Sequence, residues 1–395
     1  MRPPREVDKP TYEIVGPVER YDQRDHPTAR FGLVPGGPDY EEYYSRHPEF
    51  REWDDENRRL RSHALSSNRK KDPVNSRFGE AAFLGRRLLG TRDIVGGAPS
   101  LTGQVGQVER VDVDPGEMSA KLKAFGRYLG AGRVRITELN QDWVYTNFAY
   151  PYTSAESYGA PVELDYRYVV CMAIPQDRDM ILNGFGIASN VEGGWNYSNG
   201  SLMSVTVAHF IRSLGWPARA LPPDNSPYLV VPTFVDAGIG EQGRSVHVVT
   251  KEFGSNFRPG AVATDMPLEI DRPVDFGLQD FCEKCLVCAE TCPPGAISRE
   301  GKQVIRGVRR WHFDNNKCRR FWDSIGGSCG ICQAVCPWSH PDNWFHNTVR
   351  ELSESLPFFR KLAVLGEKAV YGKKFTPRPL PEWMETRGVR RDGTH

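Results

Sequence analysis

The chain has no apolar run long enough to cross a bilayer as a helix. Nor has it a charge excess of either sign. It carries 51 Lys and Arg against 50 Asp and Glu, which argues against nucleic-acid binding by phosphate neutralisation. The start lacks the charged-then-apolar pattern of a secretory signal, and no apolar stretch follows the Arg58-Arg59 pair. As written, the chain is expected to be cytoplasmic, with no transmembrane segment and no nucleic-acid partner. Cysteine is scarce over most of the length: outside residues 282–336 there is only Cys171. It sits in the apolar run Tyr168–Ile174, where it is expected to be a small buried hydrophobe.

The other cysteines are crowded. One run reads Cys282-x2-Cys285-x2-Cys288-x3-Cys292-Pro293 and the other Cys318-x10-Cys329-x2-Cys332-x3-Cys336-Pro337. Thiols packed into one short window of a long chain do not make a secreted disulfide framework. All-cysteine zinc sites rarely need this rhythm. It is the bacterial two-cluster ferredoxin pattern, in which three close cysteines wrap one 4Fe–4S cube and the fourth ligates the other cube. Cluster one is therefore assigned to Cys282, Cys285, Cys288 and Cys336, and cluster two to Cys292, Cys318, Cys329 and Cys332. Such a protein moves electrons one at a time.

At 395 residues the chain has room for two or three domains. Residues 1–110 are rich in Pro, Gly, Arg, Asp and Tyr with weak periodicity. They read as an extended wrapping segment, apart from a polar helix-like stretch near 40–60. A helix start follows at Asp114-Pro115-Gly116-Glu117. Met118, Leu122, Phe125 and Leu129 lie on one face of that helix. Strands are expected over Val134–Leu139 and about 166–174, and a central buried helix over Ser201–Leu214. Tyr228–Val231 and Val246–Val249 also read as buried strands. His209 and His247, within apolar runs, read as satisfied core histidines, and Trp195 and Trp143 as core aromatics. Helices alternating with strands imply an α/β or α+β core over 111–275. A two-cluster domain spans 276–345, and 346–395 packs on the core. The loop Gly238-x-Gly240-x-x-Gly243 matches the dinucleotide fingerprint by letter, but a strand-like run follows where that fold needs a helix. Bare backbone laid against a large flat cofactor is the better reading.

With these residues in view, the chain resembles the corrinoid-dependent reductive dehalogenases. The resemblance rests on Val18-Glu-Arg-Tyr-Asp-Gln-Arg24, Asp236-Ala-Gly-Ile-Gly-Glu-Gln-Gly-Arg244, Thr264-Asp-Met-Pro-Leu268 and both cysteine runs. It implies a nitroreductase-like core holding a base-off corrinoid (cobalamin), beside a C-terminal bacterial ferredoxin-like domain with two 4Fe–4S clusters. It makes Tyr197 the catalytic proton donor and Arg258 its basic partner, and places Asn225 and Trp322 at the substrate. Gly238, Gly240, Glu241, Gln242, Gly243 and Arg244 become the corrinoid-binding loop. The implied partners are a halogenated small molecule and an external electron donor: a ferredoxin, a flavodoxin or a membrane-bound quinol-linked protein. A homodimer is compatible with the reading. Many family members are exported by the twin-arginine route, so a trimmed signal is compatible too.

Replacing carbon–halogen by carbon–hydrogen consumes two electrons and a proton. Two low-potential clusters can supply a cobalt corrinoid with electrons singly, and the proton needs a positioned acid. An arginine beside a tyrosine stabilises the tyrosinate left after transfer. Two rival readings exist. One is an epoxyqueuosine reductase-like corrinoid enzyme acting on tRNA, against which the missing positive charge speaks. The other is a non-catalytic two-cluster electron carrier, for which the 281 residues before Cys282 are superfluous.

Overall fold

The computed structural model describes residues 1–89, 109–149, 158–223, 226–372 and 374–385. The N-terminal region departs from the extended reading. Its first residues are indeed strand-like, with Arg5–Glu6 pairing with Val274–Asp275 and Glu13–Ile14 with Val308–Arg309. Beyond them it is mostly helical, dominated by α1 (Pro48–Lys71). The periodicity of α1 is weak because it buries little besides Asp54, Asn57 and Ala64. Buried charge holds it instead: Arg30 Nε donates to Asp54 Oδ2 at 2.8 Å. Arg58, of the Arg-Arg pair, is bonded inside this helix, with Nη1 2.6 Å from Asp55 Oδ1.

The core is a four-stranded antiparallel sheet: β1 (Arg133–Glu138), β2 (Tyr168–Pro175), β3 (Ala218–Leu221) and β4 (Phe257–Thr264), in the order β1-β2-β4-β3. Side chains of β2 alternate between two cores. Val170, Met172 and Ile174 pack with Leu122 of α2 (Pro115–Tyr128) and with Val207 and Ile211 of α3 (Ile187–Ser213). Val169, Cys171 and Ala173 point the other way, onto Phe234 and Val235. Cys171 is fully buried, as expected. Because both faces are covered, β2 reads as one continuous apolar run. Asp114 caps α2 by accepting from Glu117 N at 2.8 Å.

Two expected strands differ. Val230–Asp236 is a helix, although its β-branched residues favour a strand; packing of Phe234 and Val235 on the sheet overrides propensity. Of Val246–Val249 only Val248–Val249 is strand, forming a hairpin with Glu241–Gln242. The central helix is also longer than expected, so Tyr197 lies within α3 and not ahead of it.

α3 touches the sheet closely at one point. A Cβ on Gly200 would collide with the Pro259 carbonyl oxygen, and one on Gly260 would lie 2.9 Å from Gly200 O. Ser204 Oγ then accepts from Ala261 N at 3.0 Å. This glycine-on-glycine approach brings Tyr197, three residues before Gly200, against Arg258, two residues before Gly260.

The two-cluster region contributes α4 (Leu278–Cys285), the short helix Val287–Thr291, α5 (Asn315–Ile325) and α6 (Ile331–Ala334). Two further helices, α7 (Trp344–Ser355) and α8 (Pro357–Val370), follow it. Val364 of α8 packs with Cys285 and Trp338. Among the described residues no helix is long and apolar enough to cross a membrane.

Candidate active site

The cysteines form two sets of four. Cys288 feels the charges of Cys282, Cys285 and Cys336 ahead of that of Cys332, whereas the thiols that act on Cys332 are Cys329, Cys318 and Cys292. All nine thiols are free, and among the described residues no three His, Cys, Asp or Glu side chains converge on a single-ion site. Burial, and then neighbouring thiolates, push the Cys282, Cys288 and Cys332 thiols well above the usual range. Four thiolates can share such a space only when metal charge compensates them.

Between the sheet, the N-terminal helices and the second set of cysteines lies a cavity of about 1490 Å³. Tyr197, Arg258 and Trp322 all line it, and so do Cys292, Cys318, Cys329 and Cys332. Ring and guanidinium stack closely: Arg258 Cζ is 5.2 Å from the Tyr197 ring centroid. Arg86, from the helix Leu84–Leu89, approaches the same ring at 5.4 Å. Nε of Arg258 and Nε1 of Trp322 are buried with no hydrogen-bond partner among the described residues. Both are donors at the cavity wall, as expected where a ligand completes the site. Asn225 lies outside the described residues.

The glycine loop needs correction. Of its six proposed cofactor contacts only Gln242 lines the cavity. Gly238 has φ 73° and presses on Arg272 O, and Gly240 presses on Val249 O, so both serve close backbone approach within the protein. Gly243 faces Cys282 Sγ. Arg244 is 2% exposed and donates to Cys282 O at 3.0 Å and Glu300 O at 2.7 Å, bracing the first cysteine loop. Glu241, fully buried, accepts from Phe276 N at 2.8 Å, Leu278 N at 3.1 Å and Gln279 Nε2 at 3.0 Å. These two charged residues latch the core to the cysteine domain.

Burial pushes the Glu241 carboxyl up to about 7, against the pull of its N–H donors. Below about pH 4.5 it keeps its proton in folded and unfolded chain alike. Between there and about pH 7 only the unfolded chain releases it, so this group's contribution to stability falls as pH rises through that window, by about 3 kcal/mol in all. The thermal midpoint of the cluster-loaded protein, relative to Glu241→Gln, is expected to drop across that window and level off above it. A pH-independent difference would contradict this.

His247 and Val246 were not foreseen at the site. His247 lines the cavity instead of filling the core, with Nδ1 3.3 Å from Ser245 Oγ. Burial, and then the Arg258 charge, lowers it to about 4, which keeps the imidazole neutral at pH 7. Val246, beside it, has φ 58°, a strained conformation for a β-branched residue. His209 is half-buried, and its Nδ1 has no partner among the described residues. Trp195 is 56% exposed and so packs in no core, whereas Trp143 is buried on Asp236 Oδ2 and also borders the cavity.

A mixed α/β core whose large cavity opens onto the second of two sets of cysteines defines a redox protein of the iron–sulfur class. Residues 281–339 match the 4Fe-4S dicluster domain. The chain is similar to reductive dehalogenases. The tetrachloroethene reductive dehalogenase of Sulfurospirillum multivorans is 31% identical over 293 residues, which cover 66% of this chain and 58% of that protein. The solved catabolic reductive dehalogenase NpRdhA superposes over 94% of this chain and 48% of its own, at 26% identity and TM-score 0.73. A further solved reductive dehalogenase structure, which suggests a mechanism for B12-dependent dehalogenation, gives TM-score 0.74 at 25% identity, over 94% of this chain and 49% of its own. The chain thus spans about half the length of the solved relatives and 58% of the curated one.

Proposed function

We propose that the chain is a reductive dehalogenase that replaces carbon–halogen by carbon–hydrogen in a halogenated organic compound. The observation that carries this reading is one shared cavity wall: Tyr197 and Arg258 line the same space as the four cysteines of the second set. A proton donor and an electron entry point thus meet where a substrate can sit. At about 1490 Å³ the cavity exceeds the roughly 300–1,000 Å³ of a single small-ligand site. A corrinoid plus a substrate suits it, which supports corrinoid binding over a plain electron carrier.

Gln242, Val246 and His247 on the hairpin, with Tyr228 and Val231 of the same cavity lining, are the residues that would hold the corrinoid. When bound, it supplies a low-valent cobalt that can deliver electrons to a carbon–halogen bond. The eight cysteines would hold two 4Fe–4S clusters, and these supply electrons singly. The chain's own work is the proton. Tyr197 donates its O–H proton to the substrate carbon as halide leaves, consuming two electrons and one proton in all. Arg258 and Arg86 lie against the ring and stabilise the oxyanion formed, in a site where low dielectric strengthens their charge. Trp322 offers its free N–H to the substrate, and Asn225 is a further candidate for that wall.

Anaerobic reconstitution with iron, sulfide and cobalamin tests the reading. About eight irons and about one cobalt per chain are expected, with the absorbance of base-off corrinoid. Iron without cobalt would leave only an electron carrier.

A further inference from the structure

The residue that connects the second cysteine loop to the proton donor is Gln333, next to Cys332 on α6. It is 3% exposed and held on three sides. Its Nε2 donates to Ser255 O at 2.5 Å and Gln176 Oε1 at 3.4 Å. With the amide nitrogen so engaged, Oε1 must face the other way, where it accepts from Arg258 Nη1 at 3.3 Å. Among the described residues that nitrogen otherwise donates to Phe257 O at 3.2 Å.

The strand carrying Arg258 is gripped twice by the cysteine domain. Gln333 holds it from the second loop, and Ser339, three residues past Cys336, accepts from Ser255 N at 3.1 Å. The second loop is in turn pinned to α3: Ser328 Oγ donates to Asn190 Oδ1 at 3.1 Å, and a Cβ on Gly330 would lie 2.9 Å from Ser189 Oγ. The loop therefore has little freedom relative to Tyr197.

Electrostatics makes the contact matter. Arg258 is drawn toward the Tyr197 ring, the Cys332 thiolate and the Glu192 carboxylate, and a flexible cation beside an anionic cluster would collapse onto it. A neutral amide fixed by the backbone offers Arg258 an acceptor that is none of these.

We propose that Gln333 is a positioning residue, which holds Arg258 against Tyr197 and away from Cys332, so that one loop sets both electron delivery and proton delivery. This rests on the functional reading above.

The test uses the protein loaded with clusters and cobalamin. Gln333→Leu is expected to lower kcat by about tenfold to hundredfold with KM within about twofold. It should also raise the reduction potential of cluster two alone, as the released guanidinium moves toward Cys332. Gln333→Glu keeps an acceptor for Arg258 and should retain more of kcat than Gln333→Leu. In an Arg258→Leu background, Gln333→Leu should leave the cluster-two potential where Arg258→Leu alone puts it. Equal shifts in both backgrounds, or no change in kcat and potential, would overturn the proposal. If Gln333→Leu fails to load iron, the same two-background comparison with Gln333→Met, which also removes the acceptor without adding charge, decides. The potentials need no halogenated substrate. A shift that depends on Arg258 in a protein that turns over no organohalide would preserve the coupling and sink the dehalogenase reading instead.

Discussion

Replacing Tyr197 by phenylalanine is expected to lower kcat for dehalogenation by about 10²- to 10⁴-fold, the usual range for loss of a positioned acid, with iron and cobalt contents unchanged. The change removes one oxygen and nothing else. The ring keeps its neighbours: Arg258 and Arg86 at its faces, and Phe83 stacked at 6.4 Å between centroids. Tyr197 is half-buried, so folding loses little. Because the hydroxyl acts in the transition state and contributes little to holding the substrate, KM should move far less than kcat. Anaerobic assay of halide release with a chemical reductant checks this. Retained turnover would remove Tyr197 from the chemistry and turn attention to His247 or to water.

The second large effect concerns the crossed cysteines. Under the crossed assignment Cys292, from the first run, belongs with Cys318, Cys329 and Cys332. Cys292→Ala alone should therefore cost cluster two and dehalogenation, while cluster one still loads and reduces. The double variant Cys282→Ala with Cys292→Ala strikes both clusters, and iron should fall from about eight per chain to nearly none. If each run wrapped its own cluster, that double variant would damage one cube and about four irons would remain. Iron analysis with low-temperature EPR separates the two outcomes.

How much of this was legible in the sequence varied with how local the signal was. The helix start at Asp114 was readable because one side chain caps one backbone N–H. β2 was readable as a continuous apolar run because the sheet is covered on both faces. The cysteine sets were readable because spacing encodes reach. The helix at Val230–Asp236 was not, since its conformation comes from what Phe234 and Val235 pack against. α1 was only partly visible because it is held by buried charge.

Motif resemblance placed Tyr197, Arg258 and Trp322, and the fold brings all three to one cavity. Glu241 and Arg244 fit a cofactor loop by letter, but their buried side chains hydrogen-bond the cysteine domain and line no part of the cavity. A buried polar contact at a domain junction has no sequence signature. Gln333 and His247 escaped for a related reason: each sits beside a stronger motif, and only tertiary contact shows where its side chain goes.

The central claim is that this chain spends two electrons and one proton to exchange halogen for hydrogen in a corrinoid-loaded cavity. The most direct test is anaerobic halide release from chlorinated and brominated alkenes and phenols, with protein reconstituted with and without cobalamin and reductant consumption titrated alongside. The account predicts halide and dehalogenated product in equal amounts, two electrons per halide, and dependence on cobalamin. Protein carrying reduced clusters and bound cobalamin that releases no halide from any of them, or equal release without cobalamin, would contradict it.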